Sequence, residues 1–211
     1  MYYNLQAIIL KRQIFREDDL LVTVYSLERG KLILQAKGAK KIKSKLAGHL
    51  EPVNLCRLEV VRGKQIDRVI GAQTINSFLK IKSDLLKLGY ASYAVELIFE
   101  LTKENHQDKA IFELLSKALN FLENEEQLDR LKVARIAFGF KLLFFLGFDP
   151  RAKNGSSFRH EISYIVDNNI SLIASNKEIL EKLAKISNLL NMELEGQLEA
   201  QIQAKNFFKY V

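Results

Sequence analysis

The hydrophobic pattern of this chain changes period near Ser77, and that change limits the fold more than any other feature. Before it, "LQAIILKRQ", "LLVTVYSL", "KLILQAKG", "VNLCRLEVV" and "QIDRVIGAQTI" are short runs rich in Val, Ile and Leu with turn chemistry between them, as strands require. "ERGK" (Glu28 to Lys31) parts two of them by a hairpin-length gap in which Gly30 can take a positive φ, and "RGKQ" (Arg62 to Gln65) parts the last two. After it, Leu85, Leu88, Val95, Ile98 and Phe99, then Ile111, Leu114, Leu115, Ala118, Leu119 and Leu122, recur at three- and four-residue steps, the mark of amphipathic helices.

A third helix is expected from about Leu128 to Leu146, with Gly147 at its C-terminal cap and Pro150 beyond. Ser175 and Glu178 have capping-box spacing before a fourth helix carrying Ile179, Leu183, Ile186 and Leu190, and Leu194, Leu198 and Ile202 suggest a last one. The intervening "PRAKNGSSFRHEISYIVDNNISLIAS" reads as a loop followed by a small hairpin around Ile162 to Ile173. The expected class is therefore α+β: a five-stranded barrel over 1–79, then a helical domain over 80–211 with a loop-and-hairpin insertion at 148–175. Five short strands with one longer excursion suggest the OB-fold, the commonest barrel of this size that faces nucleic acid.

Charge divides the chain in the same place. Residues 1–80 hold 15 of the 32 Lys and Arg but only 7 of the 25 acids, a balance of +8, whereas the remainder balances at −1. Such asymmetry implies that one domain faces a polyanion. The densest part is "AKGAKKIKSKLAGHLEP", where five lysines lie between Lys37 and Lys45 with no acid among them. Hydrophobic residues at 48% exclude a disordered chain. Cys56 is the single cysteine, which excludes an intrachain disulfide and a cysteine-built zinc site and fits a reducing compartment. "MYYNLQAIILKRQ" is unlike a secretory signal, and "IAFGFKLLFFLGF" is interrupted by Lys141 and too short to span a bilayer, so a soluble, cytoplasmic protein is expected.

The stretch from "AIILKRQ" to "GHLEP" resembles the start of the bacterial RecO family of recombination mediators, through Lys37, Gly38, Ala39, Ser44, Leu46, Gly48, Leu50 and Pro52. "LLFFLGFDP" resembles the family's helix ending in Leu-Gly-aromatic, here Leu146, Gly147 and Phe148. Many members carry paired zinc-binding cysteines just after it. "RAKNGSSFRHE" has none, so no metal or other cofactor is carried over and the expected hairpin is zinc-free. The resemblance implies an OB-fold joined to a helical domain, without a catalytic centre. It implies binding of single- and double-stranded DNA and annealing of complementary strands. It also implies contact with RecR and with the acidic tail of single-stranded-DNA-binding protein (SSB), so that RecA loads onto coated DNA.

The residues themselves suit that role. Lysines are hydrated point charges on flexible stems, good for phosphate contact and poor for reading bases. Lys37, Lys40, Lys41, Lys43, Lys45 and the Ser44 hydroxyl are the expected DNA contacts, with Arg12, Arg16, Arg62, Lys64 and Arg68 extending the surface. The bland alternative is a solvated loop that aids solubility. An RNA-binding OB-fold protein is another, because lysines do not distinguish sugars. A metal-dependent nuclease would need converging carboxylates. "REDD" (Arg16 to Asp19) offers only adjacent, diverging ones and reads better as a loop beside the barrel. His49, His106 and His160 lack ligand or triad spacing, and Cys56 reads as buried and inert. On the third helix, Phe138, Phe140, Phe144, Phe145 and Phe148 read first as core. Together with Arg130, Lys132, Arg135 and Lys141, they could instead form an apolar surface rimmed by cations for the SSB tail.

Overall fold

The computed structural model describes residues 1–152 and 158–197, so Leu198 and Ile202 of the expected last helix lie outside the described residues. Two compact units are present: Met1–Phe78 with Thr102–Glu113, and Leu79–Leu101 with Leu114–Val211.

The first unit holds β1 (Tyr2–Phe15), β2 (Asp19–Ser26), β3 (Gly30–Ala36), β4 (Leu55–Val61) and β5 (Arg68–Asn76), closed into a barrel in the order β1-β2-β3-β5-β4. All pairings are antiparallel except β3 with β5, which meet in parallel at Gln35 with Arg68 and Ala36 with Val69. In a closed barrel every strand has two neighbours, and a long strand can divide its length between them. β1 does this by pairing β4 through Tyr2–Ile8 and β2 through Ala7–Phe15, with an irregularity between Ile9 and Lys11 where the strand turns. Alternate residues point inward, so Leu5, Ala7 and Ile9 meet Val22, Val24, Leu32, Leu34, Leu58 and Val60 in one core.

Gly30 takes φ +68, as the "ERGK" turn requires, and a second constraint acts there. A Cβ on Gly30 would stand 1.9 Å from the His106 carbonyl oxygen, because the Thr102–Glu113 segment lies against the β2–β3 turn. Asn105 N–H donates to Lys31 O at 2.9 Å, and the Gln107 side chain donates to Leu27 O at 3.1 Å.

The helical elements are α1 (Leu79–Ser83), α2 (Leu85–Leu101), α3 (Lys109–Asn124), α4 (Leu128–Phe145), α5 (Arg159–Asp167), α6 (Ile170–Ala174), α7 (Lys177–Glu181) and α8 (Leu183–Glu195). Gly147, at φ +88, follows α4 as expected of a C-terminal cap residue. Two expectations are corrected. The segment read as a hairpin around Ile162 to Ile173 is α5 and α6: Ile162, Ile165, Val166, Ile170 and Ile173 are buried at helical spacing, and the Asn169 side chain caps α6 by accepting from Leu172 N–H. The fourth helix is capped by Asn176, which accepts from Ile179 N–H, not by a Ser175–Glu178 box, and it breaks into α7 and α8 at Lys182. No helix among the described residues is long and apolar enough to cross a membrane.

Candidate nucleic-acid interface

The lysine-rich excursion joins β3 to β4, and its own apolar residues tie it to the barrel. Ala39 and Leu50 are buried in the core, and Leu46 packs against it. Its root is held by Asp19, only 9% exposed, whose carboxylate accepts from Gln35 Nε2 at 2.8 Å and from Gly38 N–H at 2.8 Å. The Gly38 N–H holds the Asp19 carboxyl below the usual carboxylate range against the opposing pull of burial, helped by Gln35 and by the Lys37 and Arg16 charges. Gly38 takes φ +62, which turns the chain out of β3.

The acids of "REDD" complete the brace. Lys40 N–H donates to Asp18 O at 2.9 Å and Lys40 Nζ to Glu17 O at 2.9 Å, while Lys41 Nζ lies 3.5 Å from the Asp18 carboxylate. The tip is a hydrogen-bonded turn, closed by Ser44 N–H donating to Lys41 O at 2.8 Å, with Ile42 and Lys43 between them. Ser44 Oγ accepts from Leu46 N–H at 3.3 Å, so this hydroxyl also shapes the turn. The far end is fastened by Asn54, whose side chain donates to Gly48 O at 3.1 Å and His49 O at 3.0 Å, and whose carbonyl accepts from Ile9 N–H at 2.9 Å.

Lys37, Lys40, Lys41, Lys43 and Lys45 are all exposed on this frame. Arg12 joins them at the same end of the barrel, 2.5 Å from Glu51 of the excursion. Arg16 is there too, with its guanidinium 5.1 Å from the Phe15 ring centroid. Arg68 is the β5 partner of Gln35, the residue that binds Asp19 at the root. Arg62 and Lys64 stand apart, in the β4–β5 turn beside the first residues of β1, where Arg62 N–H donates to Met1 O at 3.0 Å. Asp67 staples that turn, accepting from Tyr3 OH at 2.5 Å and Gly63 N–H at 3.0 Å, with Arg29 at 3.6 Å. Burial and the neighbouring Asp67 push the Tyr3 hydroxyl up to about 12. Burial would raise the Asp67 carboxyl as well, but the Tyr3 and Gly63 hydrogen bonds and the Arg29 and Arg62 charges outweigh it and hold the carboxyl low.

Among the described residues no three His, Cys, Asp or Glu side chains converge as metal ligands would. Cys56 is buried in β4 and donates to His49 O at 3.1 Å, while His49 Nδ1 lies 2.8 Å from Thr74 Oγ1, so these residues serve packing.

On α4 the four candidate cations separate. Arg130 lies 3.1 Å from Glu125, and Lys132 lies 3.3 Å from Asp129. Arg135 donates to Ser187 Oγ at 2.9 Å and sits over the Tyr93 ring at 5.2 Å. It borders a narrow apolar cleft lined by Tyr90, Tyr93, Leu122 and Phe138. Lys141 does not rim any surface: it is 8% exposed, and its Nζ donates to Val166 O at 2.6 Å. Burial lowers its pKa. Phe138 and Phe140 are core, whereas Phe145 and Phe148 are exposed.

A closed barrel of this strand order, with a basic excursion between its third and fourth strands and helices after it, defines an OB-fold protein with an appended helical region. The sequence matches the family models for the recombination protein O N-terminal region over residues 1–78 and its C-terminal region over residues 82–164. The chain belongs to the RecO family. It is 35% identical over 151 residues to the DNA repair protein RecO of Dehalococcoides mccartyi strain 195, a stretch covering 72% of this chain and 58% of that protein. It is likewise 35% identical over 156 residues to the DNA repair protein RecO of Desulforamulus reducens, covering 73% of this chain and 59% of the relative. The chain thus spans less than two thirds of these curated relatives.

Proposed function

We propose that this chain is a DNA-binding mediator of repair and homologous recombination that works without a catalytic centre. In this reading residues 1–79 form the DNA-binding domain and residues 80–211 the helical domain. The observation that carries the proposal is the braced basic excursion on an OB barrel. Lys37, Lys40, Lys41, Lys43 and Lys45 are displayed from a fixed frame, flanked by Arg12 and Arg16, with Arg68 at its root. Such a surface takes phosphates of single- or double-stranded DNA and leaves the hydrogen-bonding edges of the bases available. Neutralising two strands at once lowers their repulsion, and annealing follows. Contact with RecR, and loading of RecA onto SSB-coated DNA, come with the family. For the acidic SSB tail, Arg135 beside the apolar cleft is the best-placed cation, with Arg130 and Lys132 earlier on α4.

The test is annealing of SSB-coated complementary strands by the parent chain and by a variant with the five lysines changed to alanine. The variant is expected to lose annealing and to show a shallower salt dependence of single-strand binding, by about 0.7 log units per log unit of salt for each contact removed. Normal annealing by the variant would overturn the assignment.

A further inference from the structure

We infer that Ile42 is a base-contacting wedge, inserted against the faces of bases between phosphates held by Lys41 and Lys43. The inference rests on the DNA-binding reading above and adds to it a residue that touches bases. Ile42 is 104% exposed, so its side chain touches nothing in the fold. It occupies the second position of the Lys41–Ser44 turn, where Gly, Pro, Asn, Asp or Ser would ordinarily stand and a β-branched side chain gains nothing. The turn is not loose. Its backbone is tied by Lys40 N–H to Asp18 O, by Lys41 N–H to Gly38 O and by Gly38 N–H to the Asp19 carboxylate, so Ile42 is held out on a supported tip while the lysine side chains remain available to phosphates.

Its neighbours define the occupant. A cation on each side suits consecutive phosphates, and the largest apolar surface that a single strand brings with its phosphates is the faces of its bases. Aliphatic side chains placed in this way enter base steps and unstack them. A lysine turn without Ile42 would neutralise strands and leave their bases stacked. With it, the same contact also parts neighbouring bases of the bound strand.

The experiment uses the full chain and a single-stranded oligonucleotide carrying 2-aminopurine, whose emission rises when it unstacks. The parent is expected to bind with steep salt dependence and to raise emission. Ile42→Ser is expected to bind at least about tenfold more weakly, as loss of a buried aliphatic side chain dictates, to keep the same salt slope, and to lose the rise. Ile42→Phe should restore it. The inference is overturned if Ile42→Ser keeps the parent's affinity and emission, or if the parent binds without raising emission. It is also overturned if the effect of the substitution appears only on anionic phospholipid vesicles. A parent that fails to bind the oligonucleotide at low salt sinks the DNA-binding reading and this inference together. A steep parental slope with no effect of Ile42 sinks this inference alone.

Discussion

Changing Asp19 to alanine removes no positive charge from the excursion, yet it should loosen the root from which the lysines are displayed. The carboxylate makes two charge-assisted hydrogen bonds at 2.8 Å, to Gln35 Nε2 and Gly38 N–H. Bonds to a charged group contribute about 1.5–3 kcal/mol each. Gln35 is buried, so its amide would be left without this partner, whereas Gly38 is half-exposed and recovers water. Counting only the low end of the range for each bond, the loss is at least about 3 kcal/mol in all. For a chain of this size that lowers Tm by about 6–12 °C. Asp19→Asn should cost roughly half as much, because the Gln35 amide can turn to accept from the new side-chain NH₂ while Gly38 keeps an acceptor. The sign of the pH dependence follows from the depressed carboxyl: its stabilisation is complete above the ordinary Asp value of about 4 and fades as pH falls through the lower folded value. Melting curves of parent and Asp19→Ala should therefore converge in acid. Amide exchange at Gly38 and Lys40, followed by NMR at neutral pH, reads the loosening directly. Unchanged protection at both amides, with Tm within a degree or so of the parent, would refute the claim that Asp19 fixes the root.

Gly30→Ala should destabilise the fold by about 2–4 kcal/mol, since it combines a left-handed backbone with a backbone clash at the His106 carbonyl. An unchanged denaturant midpoint would contradict this. Glu51→Gln frees Arg12 from an ion pair whose side chains are 38% and 42% exposed, so single-stranded DNA should bind up to about fivefold more tightly at low salt. Fluorescence anisotropy across a salt series measures it. An acidic peptide ending in phenylalanine should lose affinity for Arg135→Ala but bind Lys141→Met like the parent, because Lys141 lies in the core. Calorimetric titration separates the two.

The barrel was legible in the sequence because its strands are half-buried and alternate. Leu32, Leu34 and Ala36 point inward from β3 while Lys31 and Ile33 do not, and such alternation survives in one dimension. The hairpin expected near Ile162 is absent because "ISYIVDNNISLI", although rich in β-branched residues, keeps a helical spacing of its apolar positions. Ile162 has Ile165 and Val166 three and four positions on in α5, Ile170 has Ile173 three on in α6, and the Asn pair between them ends one helix and caps the next instead of making a hairpin turn. Lys141 lies in the core instead of at a surface rim for a related reason. α4 is apolar nearly all round, so no face was reserved for solvent, and a lysine within it had to be buried against a carbonyl.

The basic excursion was also legible, but the acids that make it a surface were not. Asp19 is separated from Gln35 by 16 positions and from Gly38 by 19, and only the pairing of β2 with β3 brings the root together. Along the chain "REDD" is merely a loop; in the fold its aspartates, with Glu51, make two kinds of contact. Asp19 is buried and permanent. Asp18 and Glu51 are exposed partners of Lys41 and Arg12, and pairs of that kind contribute at most about 1 kcal/mol, so a phosphate can displace either. The arrangement places the entropic cost of ordering the excursion, about 1–2 kcal/mol per residue, on folding and not on binding. It also predicts what the salt slope counts. Lys37, Lys43 and Lys45 carry no ion pair among the described residues and are ready for phosphate, and a slope exceeding three single-strand contacts means that Lys41, Lys40 or Arg12 has left its partner.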